Sequence, residues 1–255
     1  MDTNREVLVP KIRVLGVKID DLDEKTAISK ILKLAKDKRG CHLVVTVNAE
    51  FVMLAQKDPR FFEILEGADM ALADGSGVVI SKLILGGKTQ SRITGVDLVD
   101  KLCAKSAKGA IRVGFLGGFG GVAEEVSKRQ KAMNPGLKVV FAKPGDPTIG
   151  QDLRLRKEIS ASGRIDILFV AYGMGKQEFW IARNLKHLNV GVAIGVGGAF
   201  DYVSAVKNRA PRWMQMTGLE WLWRLIEEPS RIWRMRVLPV FAILVVRQFL
   251  QKTLF

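Results

Sequence analysis

The feature that most constrains the fold is a regular alternation of short β-branched runs with longer segments of helical periodicity. The predicted strands are continuous hydrophobic runs, which is typical of strands buried on both faces of a sheet. This order predicts an α/β fold, Rossmann-like, with a mainly parallel sheet and helices on both faces. The predicted strands are 12–17, 42–47, 70–73, 112–116, 138–141, 165–170 and 190–196, and the predicted helices are 25–36, 50–66, 77–85, 96–107, 121–133, 150–161 and 177–185.

Polar residues gather where predicted strands end, which is where parallel α/β sheets bind ligands. Thr46 and Asn48 lie at the end of the strand at 42–47. Asp74 leaves the strand at 70–73 and precedes a glycine turn that opens a helix. A carboxylate there accepts hydrogen bonds from helix-terminal N–H groups, which favour its charged form. On this pattern alone the plainest interpretation of Asp74 is a helix N-cap.

A glycine-rich turn follows the strand at 112–116, and Gly118, Gly120 and Ala123 fit the G-x-G-x-x-G/A spacing of dinucleotide-binding folds. The next strand ends near Lys143, whereas NAD sites have an acidic residue there. NAD is therefore disfavoured, and an NADP oxidoreductase stays an alternative. The loop could also cradle another diphosphate with its N–H groups.

The C-terminal part combines tryptophan with basic residues. Four of the five tryptophans lie in 207–236. From Lys207 onward there are nine basic residues and only three acidic ones, Glu220, Glu227 and Glu228, in a chain of net charge +14. Indole rings and arginines together favour a membrane surface, and a helix docked on its own domain is the alternative. The composition changes near 204–211. We therefore predict a core at 1–204 and a helical, membrane-associating appendage at 205–255.

The apolar run at 237–246 holds ten residues, whereas a spanning helix needs about 20. It is therefore expected to rest on a membrane or to insert only in part. The start of the chain lacks the apolar segment of a signal peptide, and Cys41 and Cys103 give no disulfide framework or zinc site. These features predict a cytoplasmic protein on the inner face of the membrane.

Seven segments carry a more specific pattern: VTVNAEFV, ALADGSGVV, RITGVDLV, FLGGFGGVAEE, GMGKQEFWI, GVGGAFDYVSA and KNRAPRWMQMTGLEWLWRLIEEPSRIWR. In this order and spacing they resemble the WecG/TagA/CpsF-type glycosyltransferases, which include N-acetylmannosaminyltransferases of wall teichoic acid synthesis. The resemblance covers nearly the whole chain. Two small departures are GMGKQE, where the family more often has GxPKQE, and Ala205, where a glycine is usual before the RAP tract.

The resemblance implies transfer of N-acetylmannosamine or a related sugar from a UDP donor to a polyprenyl diphosphate-linked acceptor, with inversion at the anomeric carbon. An inverting displacement needs a base, and by resemblance Asp74 is that base. Thr46 and Asn48 are implied to orient the sugar or the acceptor beside it.

Further roles follow from the same resemblance. Arg92 and Gln177 are implied donor-site residues, and Asp201 is implied to contact the nucleoside. The departing UDP needs a metal or cationic and N–H groups. Because the sequence has no D-x-D motif near a strand end, we expect a reaction without a metal or other cofactor.

Pro229 predicts a helix break after Glu228, since proline is tolerated in a first helical turn and damaging inside. We hypothesise that Arg224, Arg231 and Arg234 fold over the site and grip the acceptor diphosphate. The tail tryptophans would then sit at the bilayer interface or against the body; they are Trp213, Trp221, Trp223 and Trp233.

The expected partners are a UDP-sugar, a polyprenyl diphosphate-linked acceptor and an anionic membrane surface, without nucleic acid; a homo-oligomer is left open. A different class of function is also open. A basic scaffold that binds membranes or nucleic acid would explain the charge and the tail. It would leave the ADGSG and GMGKQE loops without a purpose.

Overall fold

Strands and helices alternate through residues 10–254, the part of the chain that the computed structural model describes. The strands are β1 (Lys11–Val14), β2 (Val17–Asp20), β3 (His42–Val47), β4 (Met70–Ala73), β5 (Arg112–Gly117), β6 (Lys138–Lys143), β7 (Ile165–Ala171) and β8 (Val190–Gly195). The helices of the body are α1 (Glu24–Lys36), α2 (Ala49–Ala55), α3 (Pro59–Gly67), α4 (Ser76–Ile84), α5 (Gly95–Gly109), α6 (Val122–Met133), α7 (Asp152–Ala161), α8 (Lys176–Asn184) and α9 (Ala199–Val203). The C-terminal helices are α10 (Arg212–Met216), α11 (Glu220–Glu227), α12 (Ile232–Met235) and α13 (Val237–Leu254).

Six strands form one sheet in the order β4-β3-β8-β7-β5-β6, and every neighbouring pair is parallel. Strand β8 lies between β3 and β7, with Val45 of β3 opposite Gly195 of β8. Helices flank this sheet. The predicted Rossmann-like α/β architecture with a mainly parallel sheet is therefore confirmed.

Each face of the sheet has its own hydrophobic core, because successive strand residues point to opposite faces. Val45 belongs to the cluster that contains the fully buried Trp180, whereas its neighbour Val44 belongs to the other cluster. In that second cluster the rings of Phe115 and Phe169 stack with centroids 5.7 Å apart. The continuous hydrophobic runs of the sequence thus correspond to strands covered on both sides.

The predicted strand at 12–17 is wrong. The segment instead folds as an antiparallel hairpin of β1 and β2, which forms a separate two-stranded sheet. Leu15 and Gly16 make the turn with φ of 48° and 83°. Positive φ at both central positions is the geometry of the tight hairpin turn that matches strand twist, and glycine favours it. The sequence prediction had continued the strand through this turn.

The single helix predicted at 50–66 is also wrong, because α2 ends at Ala55 and α3 begins at Pro59. Proline lacks an N–H group and is accommodated in a first helical turn. The Asp58 side chain caps the new helix by accepting a hydrogen bond of 3.0 Å from the Arg60 N–H. Proline and its preceding aspartate therefore divide the segment.

The C-terminal segment is helical and packs on the body. The break predicted at Pro229 is confirmed, since α11 ends at Glu227 and a 3₁₀ turn begins at Pro229. Phe241 and Val245 of α13 are buried in the same core cluster as Trp180. Across residues 10–254, no helix has both the length and the apolar character needed to cross a bilayer. Membrane association and the division at residues 204 and 205 stay predictions.

Candidate active site

The carboxyl ends of β3, β4, β7 and β8 border a cavity of about 650 Å³. These four strands are neighbours in the sheet, so the loops that follow them lie side by side. Such a row of strand ends is where open parallel sheets bind ligands. Helices α2, α4, α9, α11, α12 and α13 contribute further lining residues. The strand ends, the loops after them and the start of α8 contribute Thr46, Asn48, Asp74, Gly173, Met174, Gln177, Gly197 and Gly198.

Thr46 and Asn48 line the cavity and also fix local structure. The buried Thr46 hydroxyl donates a hydrogen bond of 2.9 Å to the Gly195 carbonyl, which joins β3 to β8. The Asn48 side-chain oxygen caps α2 by accepting a bond of 3.0 Å from the Phe51 N–H. Within the described chain the Asn48 amide nitrogen makes no hydrogen bond. Asn48 therefore keeps a donor for a ligand, and the Thr46 oxygen can still accept.

Asp74 is held by its backbone while its carboxylate stays available. Its N–H donates to the Val47 carbonyl at 2.8 Å, which extends the pairing of β4 with β3. Helix α4 starts at Ser76 with Gly75 at the N-cap, at a φ of 91° and without a side-chain cap bond. The Asp74 carboxylate makes no hydrogen bond within residues 10–254. The N-cap interpretation of Asp74 is therefore wrong.

Burial raises the pKa of Asp74 to about 6, against an ordinary aspartate value of about 4. Arg224 and Arg92 oppose this increase because their positive charges favour the carboxylate, whereas Glu220 and Asp97 add to it. A carboxyl group with a pKa near neutrality can both accept and release a proton at cellular pH. This is the property that general acid–base chemistry requires.

Gln177 connects the loops after β7 and β8. Its side-chain oxygen accepts a bond of 2.9 Å from the Gly197 N–H, and its nitrogen donates to Glu178 at 2.6 Å. Both side chains are fully buried, and burial raises the pKa of Glu178 to about 7. A Cβ atom at Gly195 would lie 2.7 Å from each of these two side chains, so only glycine fits there. Gln177 thus reaches the cavity with both amide atoms already bonded.

Glu220 is a buried carboxylate shared by cations from two parts of the chain. It lies 2.9 Å from Arg92 of the body and 3.2 Å from Arg224, one helical turn later on α11. Arg209 approaches it at 3.7 Å and also pairs with Asp97 at 2.8 Å. Sequence reasoning missed Glu220, because nothing in a single acidic residue before a tryptophan indicates this role.

The three arginines singled out in the tail all line the cavity. The Arg224 guanidinium also lies over the Tyr202 ring, 5.0 Å from its centroid. Arg231 pairs with Glu228, and Arg234 pairs with Glu50 at 3.1 Å. Each tail arginine is therefore held by a carboxylate beside the space that contains Asp74.

Asp201 and the glycine-rich loop after β5 do not belong to the lining. The Asp201 carboxylate lies behind the cavity, 3.9 Å from where a Cβ of Gly198 would stand, and 3.5 Å from Lys207. Lys143, at the end of β6, pairs with Glu158 at 2.8 Å. Eight of the nine predicted site residues thus share one cavity, and Asp201 is the exception.

The His42 and Cys41 side chains lie outside the lining of this cavity. No cluster of three or more His, Cys, Asp or Glu side chains within residues 10–254 could hold a metal ion. His42 lies between Asp69 and Asp37, at 2.8 and 3.2 Å. Burial raises the pKa of Cys41 to about 12, so this thiol stays protonated.

The cavity also has an apolar end that the sequence did not reveal. It lies between α4 and α13 and includes Ile80, Ile84, Leu238, Phe241, Ala242, Val245 and Val246. Ile80 and Ile84 are 55% and 43% exposed, four residues apart on one helical face. The spacing of this apolar pair is visible in the sequence, but the helix that forms the other wall lies more than 150 residues further along the chain, so the spacing alone does not predict the groove.

Most large hydrophobic side chains that are exposed in the described chain lie in the C-terminal segment. Trp213, Trp221 and Trp233 are 61%, 43% and 66% exposed. Trp223 is less exposed, and its indole N–H donates to the Asn208 carbonyl at 3.1 Å. Scattered surface apolar groups are normal, whereas a concentration of this kind is typical of a surface that contacts another protein, a ligand or a membrane.

Comparison with known proteins matches residues 12–254 to the model of the Glycosyl transferase WecG/TagA/CpsF family. A relative from Bacillus spizizenii is 35% identical over 83% of this chain and 81% of its own, and one from Bacillus subtilis is 34% identical over 86% and 84%. A relative from Staphylococcus aureus is 27% identical over 91% and 90%. All three are named N-acetylglucosaminyldiphosphoundecaprenol N-acetyl-beta-D-mannosaminyltransferase.

Proposed function

The chain belongs to the WecG/TagA/CpsF family of glycosyltransferases, and from that premise we propose its donor, acceptor and mechanism. The enzyme moves N-acetylmannosamine, or a closely related sugar, from a UDP donor to N-acetylglucosamine on undecaprenyl diphosphate. The names of its relatives support this acceptor and this sugar. The single observation that carries the mechanism is the Asp74 carboxylate, which has no hydrogen bond within the described chain and faces a cavity lined by arginines.

Transfer proceeds by one inverting displacement. The acceptor hydroxyl oxygen attacks the anomeric carbon, a new C–O bond forms, and the bond to UDP breaks. Asp74 takes the hydroxyl proton, and the electron pair of the broken bond leaves with UDP. A pKa near 6 keeps Asp74 largely ionised at neutral pH while leaving it basic enough to share the proton.

Arginines stabilise the two diphosphates. Arg92 serves the donor, and Arg224, Arg231 and Arg234 grip the diphosphate of the acceptor. A guanidinium binds phosphate oxygens through two parallel N–H bonds. A phosphate of the substrate can therefore replace a carboxylate as the partner of an arginine. Glu220, Glu228 and Glu50 hold these arginines in place beforehand.

The reaction needs no metal in this proposal, because cationic side chains supply the charge that stabilises the leaving group. Thr46 and Asn48 orient the reacting sugars beside Asp74. Gln177 shapes the donor site through its bond to Gly197, and Asp201 acts on the nucleoside from behind Gly198.

The C-terminal segment brings the enzyme to its lipid-linked acceptor. Its exposed tryptophans rest at the inner, cytoplasmic surface of the membrane, and its basic residues meet anionic headgroups. The protein is then peripheral, and its product enters the synthesis of a cell-surface polymer such as teichoic acid.

The test is UDP release from a panel of UDP-sugars with a short-chain polyprenyl diphosphate N-acetylglucosamine acceptor, with and without EDTA. We expect turnover on UDP-N-acetylmannosamine that EDTA leaves intact and that Asp74→Asn removes. Asp100→Asn is the matched control, since Asp100 is a partly buried aspartate on α5 whose pKa burial also raises, outside the cavity. Equal UDP release in the two variants would refute Asp74 as the base. Loss of UDP release in the presence of EDTA would refute the metal-free mechanism.

Membership of a glycosyltransferase family argues against the alternative of a scaffold with an inert body. One experiment distinguishes the glycosyltransferase from the scaffold. A scaffold would float with anionic liposomes, or bind nucleic acid, without releasing UDP from any donor.

A further inference from the structure

The cavity around Asp74 joins two chemically different spaces. One end carries the aspartate and the arginines, and the other is the apolar space between α4 and α13. Arg234 lines the charged end, and Leu238, four residues later, lines the apolar end. The lining therefore changes from charged to apolar within four residues of the chain, between α12 and α13.

The apolar end is built as a groove. Ile80 and Ile84 line it from α4, and Ala242 and Val246 line it from α13. Within each pair the residues are four apart, so they share a helical face. Phe241 is almost fully buried, and its ring lies 3.7 Å from where a Cβ of Gly77 would stand in the first turn of α4. The groove therefore has a packed floor and partly exposed walls.

Both helices that form the groove are anchored. Lys82 of α4 is fully buried and pairs with Asp21 at 2.7 Å, while its amine donates to Thr89 at 2.6 Å. Gln248 of α13 bonds the backbone of the hairpin, as donor to the Arg13 carbonyl and as acceptor from Leu15. The groove is therefore a formed site with fixed sides.

We propose that this groove binds the first isoprene units of the acceptor's polyprenyl chain, an inference that rests on the proposed function. In such an acceptor the diphosphate is joined directly to hydrocarbon. A site that recognises it needs cations and apolar surface in immediate contact, and the α4–α13 groove continues from the arginines in that way. A sugar nucleotide has no hydrocarbon to place there.

The experiment compares water-soluble acceptors without detergent or membrane. N-acetylglucosamine diphosphate esters of ethyl, citronellyl and farnesyl alcohols carry zero, two and three isoprene units. We expect kcat/KM to increase at least about tenfold from the ethyl to the farnesyl ester, because each buried methylene contributes appreciably to binding. Equal kcat/KM for the three esters would overturn the proposal, whereas turnover of none would instead refute the proposed function.

Matched variants locate the effect. Ala242→Trp fills the groove and is expected to bring the farnesyl-to-ethyl ratio of kcat/KM close to one. Ile243→Trp introduces the same side chain one residue later; Ile243 is 68% exposed and outside the lining, so this variant should keep the ratio. Ile84→Ser tests the opposite wall, and circular dichroism checks that each variant is folded. A ratio that stays high in both Ala242→Trp and Ile84→Ser would overturn the proposal.

Two other occupants are outcomes of the same design. Farnesyl diphosphate should compete with the farnesyl acceptor, and monomeric dihexanoyl phosphatidylcholine should not. Equal competition by the two would assign the groove to membrane acyl chains. If the protein forms dimers that Ala242→Trp abolishes, and if kcat/KM is equal for all esters, the groove binds a second copy of the chain instead.

Discussion

The cavity has two walls, and they are held in different ways. The wall from the body consists of strand ends fixed by hydrogen bonds between neutral groups, such as Thr46 to Gly195 and Gln177 to Gly197. The wall from the C-terminal segment consists of arginines that pair with carboxylates, such as Arg234 with Glu50. The first wall is part of the sheet. The second is attached to it through Glu220 and through the packing of Phe241 and Val245.

The two kinds of contact suit the two walls to different tasks. Bonds between neutral groups in a buried sheet give fixed geometry, which a reacting proton needs. Ion pairs between arginine and carboxylate can exchange one anion for another, which suits a wall that receives diphosphates. We therefore expect changes in the body wall to abolish the chemistry and changes in the tail wall to weaken it in graded steps.

The largest effect is expected from Asp74→Asn, which removes the base and keeps the size of the side chain. Turnover should fall by roughly 10²–10⁴-fold. Because burial raises the pKa of Asp74, its charged form is disfavoured in the folded state, so the thermal midpoint at pH 8 should stay equal or increase. UDP release and thermal unfolding measure the two effects. A large loss of stability would mean that Asp74 is structural.

Arg224→Gln should have the next largest effect. The loss of one charged contact to phosphate costs about 1.5–3 kcal/mol, or about 10- to 150-fold in kcat/KM for the lipid-linked acceptor. Arg236→Gln is the matched control, since Arg236 lies outside the lining and rests on the Trp233 ring at 4.2 Å. Similar losses in the two variants would indicate a general effect of tail charge and would remove the distinction between the walls.

Glu220→Gln should lower kcat/KM by about tenfold and lower the thermal midpoint as well. The glutamine leaves Arg92 and Arg224 without their shared countercharge in a buried place, which is destabilising. Glu227→Gln changes an exposed residue of the same helix and should do neither. If only the thermal midpoint fell, Glu220 would attach the tail without positioning the arginines.

The smallest effect concerns pH and connects the two walls. Asp74 works as a carboxylate, so activity should be lost as the pH falls through about 6. Arg224 lowers the pKa of Asp74 and Glu220 raises it. The midpoint of the pH–rate profile should therefore move up in Arg224→Gln and down in Glu220→Gln. Movement in one direction for both would show that the tail acts on Asp74 through structure alone.

The body could be predicted from sequence to a large extent, because its signals are local. Continuous β-branched runs marked β3 and β8 almost residue by residue, and polar residues after them marked the cavity. Errors occurred where one or two residues redirect the chain. Gly16 and Pro59 are both present in the sequence, but hydrophobic periodicity alone predicts neither the hairpin turn nor the new helix start.

The tail wall could be predicted only in part. The hypothesis named Arg224, Arg231 and Arg234 as residues that fold over the site. Arg224 and Arg231 pair with Glu220 and Glu228 within the same local segment, whereas the partner of Arg234 is set by a tertiary contact. Glu50 and Arg234 are 184 positions apart, and no local pattern joins them. The groove between α4 and α13 was not predicted because each helix forms only one wall of it and the two helices are far apart in the sequence. The roles of the individual residues stay predictions.

The position of β8 between β3 and β7 has a consequence for how the enzyme acquires activity. The bond from Thr46 to Gly195 spans 149 positions, so the floor of the cavity is complete only after a late strand has inserted into the middle of the sheet. Contacts between distant positions form slowly, because closing long loops costs entropy before any contact stabilises them. A refolding chain should therefore regain its compactness and helices before any catalysis, and activity should return in one late kinetic phase.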